Sequence, residues 1–226
     1  MADKKHVAET DHNEAVIAKA KDIWTRFQKP IVIVATIIIV AIGGYYGYKN
    51  FVQKPNEEKA VDAIFKAEEY YRMDSLQKAL NGDGLNFGFI KVSEKYGNTK
   101  MGNLARFYAG DCLLRTGDYK NAVKYLKDFS TSSKQVQARA YKLLGDVYAE
   151  LDKNEEAISS YKKAANHFTE DNTNAAEYLF FAAALAEKTG NTKEAIVLYQ
   201  QLKDKYPGTT QSNDADKYLG KLGVYN

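Results

Sequence analysis

Hydrophobic and polar residues are arranged along this chain in three distinct patterns, and each predicts a different kind of helix. In the first, Val16, Ala20, Ile23, Trp24 and Phe27 recur at three- and four-residue steps. That spacing lines them up on one helical face. Asp11-His12-Asn13-Glu14 precedes them with the D-x-x-E form of a capping box, which places the helix start at Asp11. Lys19, Lys21, Arg26 and Lys29 stand among the apolar positions. The segment therefore reads as a short amphipathic helix on a membrane surface.

In the second pattern the period disappears. Ile31 to Tyr48 runs 18 residues without a charge, and nine of its first twelve residues are Ile or Val. At about 1.5 Å per residue this is roughly 27 Å of helix, close to the hydrocarbon thickness of a bilayer. Nine Ile and Val at about 0.3 to 0.6 kcal/mol each favour insertion by roughly 3 to 5 kcal/mol. β-Branched residues are modest helix formers in water, but in lipid the backbone has no partner except itself, and helix wins. Pro30 suits the first helical position, where no intrahelical donor is needed. Tyr45, Tyr46 and Tyr48, followed by Lys49, read as the interfacial belt at the far end. A cleaved signal has a short basic start and an apolar core of about 7 to 15 residues. Here 29 residues come before a longer run, which predicts an uncleaved anchor at residues 30–52. Four Lys or Arg precede the span within reach (19, 21, 26, 29) and three follow it (49, 54, 59), so the tail is expected in the cytoplasm.

The third pattern begins after Pro55. Ala60, Ile64, Ala67, Tyr71 and Leu76 predict a helix over residues 57–80. Asn81-Gly82-Asp83-Gly84 breaks it, and Phe87, Phe89, Ile90, Val92 and Tyr96 predict a second helix. The two glycines lack the strand and the remaining residues of a phosphate-binding fingerprint, so they read as a turn. From here the chain repeats itself. Gly110, Gly117-Asp118-Tyr119, Ala122 and Leu126 recur as Gly145, Asp152-Lys153-Asn154, Ala157 and Tyr161, at an offset of 35. A third copy follows with Ala183, Gly190-Asn191-Thr192, Ala195 and Tyr199, at an offset of 38. Small residues at these positions let two helices of a hairpin approach, and the Leu and Tyr residues fill the space between them. Ala215, Tyr218, Leu219 and Leu222 predict a terminal capping helix over residues 211–222.

These residues resemble the tetratricopeptide repeat, a helix–turn–helix unit with a nominal period of about 34. The expected fold is therefore all-α: a single transmembrane helix, then a tetratricopeptide-like α-solenoid of about three to four helix pairs with a C-terminal cap. The expected organisation is a tail at residues 1–29, an anchor at 30–52 and a repeat domain at 53–226.

Composition changes this picture little. The mean hydropathy of −0.50 leaves enough polar surface for a soluble domain beside one anchor. Residues 57–226 carry 24 basic and 24 acidic side chains, so no general field steers polyanions, and nucleic acid is not an expected partner. The single cysteine, Cys112, excludes an intrachain disulfide and reads as a small buried hydrophobe. His167 reads as a cation at a helix end. His6 and His12 have no recognised ligand spacing, and the chain has no metalloprotease, phosphate-loop or nucleophile-elbow motif. No enzyme, cofactor or metal site is expected.

What the resemblance implies is a groove. In such repeats the first helices line an inner face, and laying the pattern over this chain puts Phe107, Tyr108, Asp111, Leu114, Leu143, Asp146, Phe180 and Phe181 there. Aromatics with a few acids suit an extended peptide or a partner helix. The carboxylate-clamping use of this fold is not expected, because Asp111 and Asp146 would repel a carboxylate. The whole layout, with Ala79-Leu80-Asn81-Gly82-Asp83-Gly84, Lys95-Tyr96-Gly97-Asn98-Thr99-Lys100 and Gly102-Asn103-Leu104-Ala105, resembles a bacterial family of single-span inner-membrane proteins. Its best-known members are the ancillary subunit of the Sec translocon, and the segments look like its Bacteroidota branch. The resemblance implies a membrane-tethered interaction scaffold with a periplasmic domain, associated with the translocon, periplasmic chaperones or exported polypeptides. The alternative it leaves is a structural or adaptor subunit of another cell-envelope assembly complex.

Overall fold

The computed structural model describes residues 3–225, with side chains from Ile17 onward. It divides into two units, Met1–Pro55 and the chain from Asn56 on.

The first unit is helix α1, Asp3–Tyr48, closed by one π-helical turn at Lys49–Gln53. Two expectations are corrected here. The backbone is already helical before Asp11, so no helix starts at the capping-box sequence, whose side chains lie outside the described residues. Pro30 also sits inside α1 rather than opening it. A proline in a helix interior costs about 3 kcal/mol and leaves the carbonyl four residues back without a donor. Breaking there would mean nucleating a second helix, which is itself unfavourable. The π-turn has a similar cause. Pro55 has no N–H and crowds the carbonyl of Phe51, and the chain widens so that Lys54 N–H donates to the Lys49 carbonyl instead. Among the described residues, one helix is long and apolar enough to cross a membrane, and its apolar window is nowhere buried.

The second unit is built from helix hairpins. Helix α2 (Lys54–Arg72) ends about two turns earlier than expected, because the chain reverses at Asp74 with φ +58°. The predicted helix over 57–80 is thus two helices, and α3 (Leu76–Asn81) starts after the turn. Gly82 ends α3 at φ +89°, where a Cβ would lie 2.2 Å from the Asn86 carbonyl oxygen. The Asp83 carboxylate then accepts from the Leu85 and Asn86 N–H groups, the Asn86 amide and the Tyr70 hydroxyl. The Asn81–Gly84 cluster is therefore a turn, as its sequence predicts. Helix α4 (Phe89–Lys95) completes this first, interrupted hairpin.

Three regular hairpins follow: α5 (Lys100–Arg115) with α6 (Tyr119–Lys127), α7 (Lys134–Glu150) with α8 (Asn154–His167), and α9 (Asn172–Lys188) with α10 (Thr192–Lys205). Helix α11 (Thr210–Lys221) caps the series. Each hairpin turns on one residue of positive φ, at Gly117, Asp152 and Gly190, which the repeat offsets make equivalent. The reason for the small residues is visible at the helix contacts. A Cβ on Gly110 would lie 2.5 Å from Leu126 Cγ, and one on Gly145 would lie 2.5 Å from Tyr161 Cε1. Ala122, Ala157 and Ala195 are fully buried on the second helices. Two apolar clusters form the interior, one running from Ala60 to Val147 and the other from Ala138 to Leu219, so α7 contributes to both. The Glu57 carboxylate accepts from the Lys100 and Met101 N–H groups (2.8 and 3.1 Å), tying α2 to the start of α5. That is where a helix leaves donors unpaired and favours negative charge.

Candidate binding groove

The first helices of successive hairpins, α2, α5, α7 and α9, present their unpaired faces side by side. On α7 the residues Arg139, Lys142, Leu143 and Asp146 follow at three- and four-residue steps, so one stripe carries all of them. An open cavity of about 350 Å³ lies between α7 and α9. Arg139, Lys142, Leu143, Asn174, Glu177 and Tyr178 are among its lining residues.

Arg139 is the centre of this face. Its guanidinium is exposed, belongs to no ion pair among the described residues, and acts electrostatically on Tyr71, Tyr108 and Tyr178 from three neighbouring helices. Burial raises the hydroxyl pKa of all three tyrosines, and Tyr71 is pushed up to about 12 by burial and by its bond to Asp111. All three hydroxyls therefore stay protonated near neutral pH. Tyr108 stacks on Phe89 with centroids 4.9 Å apart, and Tyr71 meets both rings. The result is a surface of the half-buried Tyr71 and Tyr108 over the buried Phe89, near a guanidinium that makes no ion pair among the described residues. Such a surface can stack on a peptide's side chains and planes while hydrogen-bonding its carbonyls.

The residues expected on this face divide sharply. Tyr108 is half-buried there, and Phe181 is half-buried against Tyr161 with the Lys142 ammonium 5.0 Å above its ring. Leu143 lines the cavity but is itself buried. Phe107 is corrected: it is 6% exposed and packs on Phe129, 5.4 Å away, as part of the core. One residue before Tyr108 means about 100° of rotation, which turns Phe107 into its own hairpin. Phe180 turns the same way, towards Tyr199 and Tyr218. Leu114 is half-buried against the first apolar cluster.

The two acids are engaged rather than free. Asp111 is buried and accepts from the Tyr71 hydroxyl. Asp146 accepts from Lys142 at 2.9 Å and from the Tyr161 hydroxyl at 2.9 Å. Burial pushes the Asp146 carboxyl up, while Lys142 and Tyr161 draw it back. Arg139, Lys142, Asn174 and Tyr178 were missed from sequence. The signal available was the helical step back from Leu143 and Asp146 to Arg139 and Lys142.

Cys112 is buried in α5, where burial and the Asp111 charge push its thiol up to about 12, so it stays protonated. His167 occupies the last turn of α8, edge-on to Tyr141. Among the described residues no three His, Cys, Asp or Glu side chains group as a metal site, and His6 and His12 lie outside the described side chains.

The fold and groove define a class: an all-helical array of paired helices following a single candidate membrane helix, with no strand among the described residues. Comparison with family models gives the array its kind. Models described as tetratricopeptide repeat match residues 136–206 and residues 104–132. These segments cover α7 to α10 and most of α5 and α6, and tetratricopeptide repeats are scaffolds for protein–protein interaction. A search of curated proteins found no match.

Proposed function

We propose that this chain is a membrane-tethered scaffold whose groove along α5, α7 and α9 holds extended segments of partner polypeptides. The observation that carries the reading is the open cavity between α7 and α9, lined by the exposed Arg139 together with Lys142, Asn174 and Tyr178. Rigid rings and a guanidinium are the side chains that most often dominate protein interfaces. The layout of tail, span and repeats resembles the ancillary translocon subunit family. That resemblance supports a place at the bacterial inner membrane beside the Sec translocon and periplasmic chaperones, with the tail cytoplasmic. Purification from membranes in mild detergent, followed by mass spectrometry, tests the placement. Translocon and chaperone subunits are the expected companions, and their recovery should fall in the Arg139→Glu variant. Recovery of cell-envelope assembly proteins instead would make the chain an adaptor of that machinery and overturn the translocon placement.

A further inference from the structure

Helix α1 continues well beyond the apolar span on its N-terminal side, and its described part there is sharply two-sided. At about 100° per residue, Ala20, Ile23, Trp24, Phe27 and Ile17 fall within a single arc of roughly 120°. Lys19 and Lys21 fall just outside that arc, one on each side, while Asp22 and Lys29 lie opposite it. Between residues 17 and 29 there are four basic side chains and one acidic. Thr25, on the polar side, and Gln28, at the edge of the arc beside Ile17, bond back to carbonyls of their own helix.

We infer that residues 17–29 dock on an anionic bilayer surface, with Ile17, Ile23, Trp24 and Phe27 in the headgroup boundary and Lys19 and Lys21 reaching phosphates on either side. Cations at both edges of an apolar arc fit a plane of negative charge, since each long side chain can bury its stem and keep its ammonium among the headgroups. A second copy of residues 17–29 fits poorly, because the one acid of that stretch, Asp22, faces away from the arc and cannot meet those cations. Pro30 sits between this segment and the span. It removes the Arg26 carbonyl's intrahelical partner, so the chain can bend there at least cost.

Trp24 is the only tryptophan of the chain, so its fluorescence reports this segment alone. The full chain is reconstituted into phosphatidylcholine vesicles with and without phosphatidylglycerol, each also prepared with brominated acyl chains. In anionic vesicles Trp24 should shift to the blue, lose its quenching by acrylamide and be quenched by the brominated lipid. The double variant Lys19→Glu, Lys21→Glu should reverse all three, as should neutral vesicles. Were the helix to stand straight, Trp24 would lie about 10 Å beyond the start of the span, out of reach of the bromines. Open quenching by acrylamide in anionic vesicles therefore overturns the inference. So does a Trp24 shielded from acrylamide yet untouched by brominated lipid, which would mean a protein partner or a second copy on that face.

Discussion

Gly145 shows how much one residue carries here. The Tyr161 ring occupies the space a Cβ would need, and its hydroxyl is bonded to Asp146 at 2.9 Å, so the ring has little freedom to move aside. Alanine would gain about 1 kcal/mol of helix propensity but force a rigid buried ring outward, at about 1 to 3 kcal/mol. Gly145→Ala should therefore destabilise the domain by up to about 2 kcal/mol net, read as a lower midpoint in denaturant. Gly110→Ala should cost less, because it meets the more adaptable Leu126. Asp83 makes a second case. The N–H of Asn86, its amide, the Tyr70 hydroxyl and the Leu85 N–H all hold its carboxyl below its ordinary 3.8. A lowered carboxyl stabilises the folded loop fully above that value and stops doing so as pH falls through the folded pKa. The Leu85 and Asn86 amide signals should thus stay constant from neutral pH down to about 4 and change only below it. A midpoint above 3.8 would contradict the four bonds.

At the scale of elements, the sequence was most legible where period and punctuation agreed. The hairpins α5–α6, α7–α8 and α9–α10 were read from two offsets, 35 and 38, because the same helix contacts demand the same small residues each time. The break at Asp74 was not read, because an aspartate of positive φ leaves no glycine to mark it. Pro30 misled for the opposite reason: a residue that usually bounds a helix lies inside one. On the face that the repeat pattern assigns, one position decides a ring's surroundings: Tyr108 is half-buried, whereas Phe107, about 100° away, packs into the core on Phe129, while Phe180 and Phe181 are both half-buried. The hairpin turns supply a clean test. Asp152 holds a left-handed conformation that Gly117 and Gly190 adopt freely, and nothing lies within 4 Å of a Cβ at Gly190. Gly190→Ala should then cost about 1 to 2 kcal/mol through backbone strain alone. Asp152→Gly should be neutral or stabilising by up to about 1 kcal/mol. Thermal midpoints of the two variants moving in the same direction would count against the equivalence of the turns.

At the scale of the whole molecule, the proposed scaffold holds its partners on the face formed by the first helices. Site-specific photo-crosslinking addresses this directly. A photoreactive phenylalanine analogue replaces Tyr108 on the groove floor or, in separate proteins, Lys120 on α6 or Val197 on α10, both exposed on second helices. Irradiation in intact cells, followed by purification, should give discrete adducts from position 108 that disappear when Arg139→Glu is added, and none from positions 120 and 197. Adducts from positions 120 or 197 with none from position 108 would contradict the account and move the binding surface to the opposite face.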